Sequence, residues 1–303
     1  MNKCRKVKNK REKDKDKREK EKDKKDGSIL DACFDRNTIL HLKNRKKKRI
    51  QDIEVGDILF DGSIVTAWME LSTYGQSMYN CQGTLVTGNH RIYDEEKELI
   101  EVKNHSDSFL VDDYRDDKIY CINTDSKQIY INGSVFTDWD DLDDMDLIDL
   151  KTNCSKSLPE NFKKPDIHKY LDGGFTKDML IELESGNSIC IKDVQVNDIL
   201  RFGERVVGIV EINAKDLENI NEYYLGEEII KGSANLPIID EDLEISNINE
   251  LDGTIYTEKT FKLYHLLTDR GCFIVNGIRF GDYNTCLENY IDNDNFDFLS
   301  ILF

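Results

Sequence analysis

Short stretches of alternating apolar and polar residues run along most of the chain after residue 28. Examples are TILHL (38–42), SIVTAWMEL (63–71), KIYCI (118–122) and QIYINGSVF (128–136), each bounded by Gly, Asn or Asp turn residues. A period of two places side chains alternately on the two faces of a strand. The chain has only three prolines and little periodicity of 3.6 residues. The pattern therefore predicts an all-β fold.

The same pattern occurs twice. The segment CFDRNTILHLKNRKKKRIQDIEVGDILFDGSIVTAWMEL (33–71) aligns without a gap to GFTKDMLIELESGNSICIKDVQVNDILRFGERVVGIVEI (174–212). A second block, YCINTDSKQIYINGSVFTDW (120–139), aligns to YHLLTDRGCFIVNGIRFGDY (264–283), so the offsets are 141 and then 144. Preserved order and spacing indicate a duplicated unit of about 110 residues. We call 33–139 the first repeat and 174–283 the second repeat; the predicted domains are 33–150 and 173–303, with a linker over 151–172.

Charge divides the chain differently. Residues 1–32 form a charged arm, and KREKDKDKREKEKDKKD (10–26) is of low complexity. Many of its i,i+4 pairs are of like sign, so the composition predicts disorder. Residues 1–26 carry a net +7, whereas the remainder carries −25. An acidic body argues against nucleic-acid binding there, because phosphate contacts need cationic surface; weak binding by the arm stays open.

The expected compartment and the expected lack of cofactors are inferred from motifs that the sequence does not contain. The N-terminus has no apolar core of a secretory signal, and no apolar run reaches the length of a membrane span. The eight cysteines include no CxxC pair and no zinc-type spacing with histidine. We therefore expect an intracellular, cytoplasmic protein without a membrane span, cofactor or structural metal.

The two repeats differ where chemistry would lie. Cys33 of the first repeat aligns with Gly174 of the second. LVTGNHRIYDEEKEL (85–99) offers Thr87 and His90 in a Thr-x-x-His arrangement, whereas the corresponding IIKGSANLPIIDEDL (229–243) has Lys, Gly and Ser and then Asn235 instead. A duplication that keeps scaffold residues but loses a Cys, a Thr and a His predicts an active copy beside a degenerate one.

These features resemble a known family. Cys33-Phe34 at the start of the repeat, IQDIEVGDIL (50–59) and VTGNHRI (86–92) together resemble the Hint module shared by hedgehog C-terminal domains and inteins. The resemblance is clear over 33–139 and weaker over 174–283. It implies a horseshoe-like all-β fold and self-cleavage at the Ala32–Cys33 bond, with the protein's own N-terminal segment as substrate.

The residue types suit that chemistry. Cys33 would attack the carbonyl of Ala32 in an N-to-S acyl shift that gives a thioester. His90 would act as general acid on the amide nitrogen of Cys33, and Thr87 would hydrogen-bond the cleaved peptide.

The end of the first repeat predicts how the thioester is resolved. Inteins resemble one another in ending with His-Asn and a nucleophile, but NGSVFTDWDD (132–141) has Thr137, Asp138 and Trp139 at those places. Splicing is therefore not expected, and the 30 residues between His90 and Tyr120 are too few for a homing endonuclease. Asp138 would activate an incoming water, thiol or alcohol, as in the hedgehog pattern. Asp282 keeps the same position in the second repeat, so a structural turn role for Asp138 stays open.

Other features receive structural interpretations. The acidic stretch DWDDLDDMDLIDL (138–150) and residues 151–172 predict a helical or irregular connector, and the acidic cluster predicts a solvated face rather than a cation site. Cys121 stands where many inteins carry an aspartate, which suggests a supporting role. His105 and His265 are expected to be structural or exposed. The alternative to autoprocessing is a catalytically inactive, tandem Hint-derived binding or scaffold protein with a basic tail.

Overall fold

The computed structural model describes residues 32–142, 144–153, 158–159, 161–215, 217, 220–240, 245–251, 253–256, 260–285 and 287. Apart from Ala32, the predicted arm lies outside the described residues, as does the end of the chain from residue 288. The described part consists mainly of short antiparallel strands, which confirms the all-β prediction.

Eleven of the described strands belong to the first repeat. They are β1 (Ile39–His41), β2 (Lys47–Arg49), β3 (Val65–Ser72), β4 (Met78–Cys81), β5 (Thr84–Thr87), β6 (Arg91–Tyr93), β7 (Leu99–Glu101), β8 (Ser108–Leu110), β9 (Lys118–Thr124), β10 (Gln128–Ile131) and β11 (Ser134–Thr137). Short 3₁₀ helices at Ile50–Asp52 and Val102–Asn104 connect some of them.

The second repeat contains the same elements in the same order. They are β12 (Leu180–Glu182), β13 (Ser188–Cys190), β14 (Val206–Asn213), β15 (Ile220–Leu225), β16 (Glu228–Ser233), β17 (Pro237–Ile239), β18 (Ile245–Asn247), β19 (Gly253–Ile255), β20 (Lys262–Thr268), β21 (Cys272–Val275) and β22 (Ile278–Gly281). The 3₁₀ helices recur at Ile191–Asp193 and Ile248–Glu250.

Recurring turn residues show why the two halves fold alike. The carboxylate of Asp57 accepts the backbone N–H of Glu54, and that of Asp198 accepts the N–H of Gln195, at 3.0 and 2.9 Å. Such local bonds from an aspartate to its own turn favour a tight reversal of the chain. The same turn chemistry therefore precedes β3 in the first repeat and β14 in the second.

Each repeat folds into three small sheets, and the two repeats share a fourth. The small sheets are ordered β1-β2, β5-β4-β8 and β10-β11-β6-β7 in the first repeat, and β12-β13, β16-β15-β19 and β18-β17-β22-β21 in the second. The shared sheet has the order β20-β14-β3-β9. One continuous hydrogen-bonded sheet thus joins the repeats.

The junction of the shared sheet is symmetric. Strands β3 and β14 are antiparallel, and Met69 lies opposite Val210, which is its own equivalent in the alignment. Two positions away on either side, Ala67 lies opposite Ile212 and Leu71 lies opposite Gly208. This is the geometry of an isologous two-fold interface within a single chain.

The predicted connector is partly helical. Helix α1 spans Asp144–Asn153, and a 3₁₀ helix at Lys164–Asp166 leads into helix α2 at Ile167–Leu171. Its buried side chains form a small cluster of their own: Leu142, Leu150, Phe162, Ile167 and Leu171. Among the described helices none is long and apolar enough to cross a membrane.

The main core belongs to both repeats. It begins at Ala32, Cys33 and Phe34 and continues across the shared sheet to Ile212 and Leu263 of the second repeat. A second core lies within the second repeat, around Phe175 and Phe273. The start of the first repeat is therefore packed at the centre of the molecule, where the candidate residues meet.

Candidate functional site

Cys33 is the first residue of the first repeat. Its side chain is fully buried, and the next residue, Phe34, bridges β5 at Val86 and β9 at Tyr120. The Phe34 N–H donates to the Tyr120 carbonyl at 2.7 Å. The start of the first repeat is thus held between two strands, and Ala32, which precedes Cys33, is also buried.

Thr87 forms two hydrogen bonds with the backbone of Cys33. The backbone N–H of Cys33 donates to Thr87 Oγ1 at 3.0 Å, and the Thr87 N–H donates to the Cys33 carbonyl at 2.9 Å. Gly88 follows in a crowded turn, where a Cβ would lie 2.5 Å from the ring of Tyr79. A larger residue after Thr87 would therefore require the Tyr79 ring to move.

His90 closes the same turn and is fully buried. Its N–H donates to the Thr87 carbonyl at 3.3 Å, and its ring packs against Phe34 at a centroid distance of 4.5 Å. Nε2 lies 2.9 Å from the carbonyl of Thr137. Because a carbonyl only accepts, Nε2 carries the proton and Nδ1 presents a lone pair.

Burial changes the chemistry of that ring. It lowers the pKa of His90 from 6.5 to about 4, so the imidazole is neutral near pH 7. Within the described residues Nδ1 has no hydrogen-bond partner, although it is inaccessible to solvent. The sequence-based role of general acid assumed an ordinary pKa; the buried ring is a base that must first receive a proton.

Asp138 lies directly after the Thr137 carbonyl that binds His90. Its Oδ2 accepts the backbone N–H of Thr124 at 2.8 Å, while Oδ1 has no partner among the described residues. Burial raises the pKa of Asp138 to about 7, although nearby Lys127 opposes the shift. The carboxyl group is therefore poised between its two protonation states at neutral pH.

The structure brings the predicted residues together. Phe34, the residue after Cys33, packs its ring against the His90 ring. Burial raises the pKa of the Cys121 thiol, and the nearby Cys33 and Asp138 raise it further. Cys121 is itself fully buried on β9. Cys33, Thr87, His90, Asp138 and Cys121 are thus all fully buried within the first repeat.

The second repeat preserves more of this arrangement than the sequence alignment indicated. The bridge of Phe175 to Gly232 corresponds to that of Phe34 to Val86, so the offset here is 146. Thr87 therefore aligns with Ser233, and His90 with buried Leu236. The Gly174 N–H donates to Ser233 Oγ at 2.9 Å, as Cys33 donates to Thr87. The prediction that the second repeat lost this hydroxyl is wrong, because a two-residue register difference hid it.

The second repeat has no room for a side chain at the position equivalent to Cys33. A Cβ added to Gly174 would lie 2.8 Å from the Leu263 Cβ and 2.9 Å from Ile212 Cδ1. Side chains of the second repeat therefore fill the space that the Cys33 side chain occupies in the first.

Asp282 repeats the structural part of the Asp138 arrangement. Its Oδ2 accepts the N–H of Thr268 at 3.2 Å, just as Asp138 accepts that of Thr124. The backbone contact is thus common to both repeats.

Lys127 was missed by the sequence analysis. It is nearly fully buried, and its Nζ lies 2.5 Å from Asp140 Oδ2 and 3.6 Å from Asp138 Oδ2. The prediction of a solvated acidic face after Trp139 is wrong at Asp140, because this lysine folds inward to meet it. The available signal was the second repeat, which has Gly271 where the first has Lys127.

Among the other buried histidines, His105 and His265 do not join the site of the first repeat. His105 accepts the N–H of Asp107 at its Nδ1, over 3.1 Å, within its own turn. His265 aligns with Cys121 and accepts the N–H of Leu266 at 2.9 Å. Burial lowers the pKa of His265 to about 4.

Metal-binding side chains and similar proteins were the two other sources that could indicate a function. In the part of the chain that the structure describes, no group of three or more His, Cys, Asp or Glu side chains is arranged to hold a metal ion. The geometry of Cys33, Thr87, His90 and Asp138 is therefore the basis for a functional assignment. Comparison with models of known protein families and with curated proteins finds no match to this chain.

Proposed function

We propose that the first repeat is a Hint-type autoprocessing module that acts on the Ala32–Cys33 bond. One observation carries the proposal: Thr87 Oγ1 accepts the N–H of that bond inside a buried site that also holds the Cys33 thiol and His90. The product is a thioester, and release of residues 1–32 follows. Splicing and homing-endonuclease activity are not part of the proposal.

The acyl shift uses His90 as a proton relay. Neutral Nδ1 takes the thiol proton of Cys33, and the sulfur attacks the carbonyl carbon of Ala32. The C–S bond forms, the C–N bond breaks, and the imidazolium returns the proton to the amide nitrogen of Cys33. A pKa of about 4 makes His90 a weak base but a strong acid once protonated, which suits departure of a poor leaving group.

Burial of the site is compatible with this reaction because the substrate is the chain's own backbone. Ala32 and Cys33 already lie in the core, so no substrate has to enter. Exclusion of water also strengthens the hydrogen bond between Thr87 and the cleaved peptide.

Asp138 is assigned to the second step. Its Oδ2 is held by Thr124, which leaves Oδ1 to accept a proton from a water, thiol or alcohol that attacks the thioester. A pKa of about 7 gives a base that is effective near neutral pH.

A second candidate is a catalytically inactive scaffold derived from the same module. The observation that favours it is the second repeat, which keeps the fold and the Ser233 hydrogen bond without a Cys or His in the equivalent places. In a scaffold Thr87 would serve only to anchor the start of the repeat, as Ser233 does.

Incubation of the purified full chain with dithiothreitol or hydroxylamine separates the two candidates. Autoprocessing predicts release of a fragment comprising residues 1–32, seen by mass spectrometry. Cys33→Ala should stay intact under the same conditions. Thr87→Ser should retain cleavage, whereas Thr87→Val, of the same shape, should slow it by about a hundredfold because the peptide N–H loses its acceptor.

The inactive scaffold predicts another result. Wild type and Cys33→Ala would then remain equally intact at every reductant or hydroxylamine concentration, although both are folded by circular dichroism. That outcome would refute autoprocessing.

A further inference from the structure

Three ionisable side chains form a compact buried cluster at the end of the first repeat. The side chains of Lys127, Asp138 and Asp140 are 2%, 0% and 6% exposed. Lys127 Nζ lies 2.5 Å from Asp140 Oδ2 and 3.6 Å from Asp138 Oδ2. Burying three ionisable groups carries a large desolvation penalty. A cluster of this kind is therefore a candidate for a chemical role as well as a structural one.

The backbone shows that the lysine is placed against local preference. Lys127 has a φ of 59°, and its equivalent in the second repeat, Gly271, has a φ of 63°. Glycine adopts this left-handed conformation freely, whereas a side chain makes it costly. The first repeat therefore accepts backbone strain to turn a primary amine towards two carboxyl groups.

The Asp140 carboxyl group is held in one orientation. Asn123 Nδ2 donates to Asp140 Oδ1 at 2.7 Å, and Asn123 Oδ1 accepts the backbone N–H of Asp140 at 3.1 Å. The Tyr283 hydroxyl accepts a second bond from Asn123 Nδ2 at 3.1 Å, which fixes the amide in turn. One oxygen of Asp140 thus has a fixed amide donor, and the other contacts the amine.

We propose that Lys127 and Asp140 join in an intramolecular isopeptide bond, with Asp138 as the acid–base group. Lys127 Nζ attacks the Cγ of Asp140, and the developing negative charge on Oδ1 is stabilised by Asn123. Asp138 takes a proton from the attacking nitrogen and delivers one to Oδ2, which leaves as water. A C–N bond forms, a C–O bond breaks, and one water is the only other product.

The charge states of the cluster allow this reaction. Burial opposes the positive charge of Lys127, but Asp138 and Asp140 outweigh it and raise the pKa of the ammonium. Transfer of its proton to Asp140 yields a neutral amine beside a neutral acid, and a dry environment favours that neutral pair more than water does. The reaction proceeds through this minor form, so it follows folding slowly. Formation of the neutral amide is favoured because it removes the desolvation penalty of the buried Lys127–Asp140 ion pair.

The second repeat lacks the necessary groups. Its equivalents of Lys127 and Asp140 are Gly271 and Asn284, and only Asp282 is retained. The bond goes beyond the proposed function, because it requires neither Cys33 nor cleavage before it.

Mass spectrometry of the full chain tests the bond. Full-length Cys33→Ala protein, which keeps its arm, should be lighter than its sequence by the mass of one water. A protease digest should give one branched peptide that joins the segment of Lys127 to that of Asp140. Adding Lys127→Arg keeps a cation but removes the primary amine, and the full sequence mass should return. Asp138→Asn should also restore it, because the proton carrier is gone.

A matched control lies in the second repeat. Asp282→Asn removes the equivalent carboxylate there and should leave the water deficit unchanged. A folded Cys33→Ala protein with the full sequence mass, or a branched peptide through any other pair of residues, would overturn the proposal. Because that parent protein alone decides, a variant that fails to fold does not obscure the answer.

Discussion

At the scale of single residues, the site depends on how burial changes ordinary side chains. His90 and Asp138 are both fully buried, and burial shifts their pKa values in opposite directions, to about 4 and about 7. The neutral form is favoured in each case, because a charged group loses its hydration in the core. Stability should therefore depend on pH through both groups, with opposite signs.

Replacing His90 by leucine, the residue at the equivalent position 236, isolates the contribution of the imidazole. The folded-state pKa lies below the ordinary 6.5, so the unfolded chain binds the proton first as the pH falls. Stability from neutral His90 is complete above pH 6.5 and is lost progressively down to about pH 4. Asp138 has the reverse sign, and for this reason the comparison is made between paired variants.

The measurement is urea unfolding from pH 7 to pH 4 in a Cys33→Ala background, which removes the proposed nucleophile. The His90→Leu variant should gain up to about 3 kcal/mol relative to its parent over this range. The Cys33→Ala parent should still lose stability through His90 as the pH falls, because it retains the buried imidazole. Parallel stability curves for the two proteins would contradict the assignment.

The sequence alone predicted Cys33, Thr87, His90 and Asp138 as candidate site residues, because each belongs to a short local motif; the structure shows that all four are buried. It did not reveal Lys127, because burial of this side chain depends on the conformation of its turn. A lysine among acids in a loop has the same sequence pattern whether it is solvated or buried. Only comparison with Gly271 distinguishes the two cases, since a left-handed turn normally selects glycine.

At the scale of elements, strand alternation and turn residues predicted the all-β fold correctly. The register was harder: end-to-end matching aligned Thr87 with Lys231, whereas the β-bridges of Phe34 and Phe175 align it with Ser233. The reason is that β15 and β16 form a longer hairpin than β4 and β5. Hairpin length is set by pairing between strands, which a gapless comparison does not contain.

Restoring a cysteine to the second repeat tests how its strands surround the equivalent position. In Gly174→Cys the new Cβ meets Leu263 on β20 and Ile212 on β14, at 2.8 and 2.9 Å. We expect a loss of about 1–3 kcal/mol in the free energy of unfolding. We also expect no cleavage at the Gly173–Gly174 bond, because Leu236 stands in place of His90.

Chemical denaturation and mass spectrometry measure the two effects. Gly174→Ala is the control for the steric term, since it adds the same Cβ without a thiol, and it should destabilise the protein to a similar extent. A Gly174→Cys protein as stable as wild type would show that the space is not closed.

At the scale of the whole molecule, the two repeats share one sheet and one core. Strand β14 of the second repeat pairs with β3 of the first, and Ile212 of β14 packs into the core that contains Cys33. Because this core extends across the junction, we expect the repeats to unfold in a single cooperative transition. The second repeat then supports the candidate site of the first through the shared sheet and core.

Truncating Ile212 tests that coupling. Its side chain is fully buried, so Ile212→Ala should cost about 2–5 kcal/mol in the free energy of unfolding. Both tryptophans, Trp68 and Trp139, lie in the first repeat, so their fluorescence reports unfolding of that repeat. Far-ultraviolet circular dichroism reports all the strands. We expect both signals to shift together to lower urea concentration, although the mutation lies in the second repeat. Ile229→Ala, at a half-exposed position of the same repeat, should shift neither appreciably. If tryptophan fluorescence kept its wild-type midpoint while circular dichroism changed, the repeats would be independent units that merely touch.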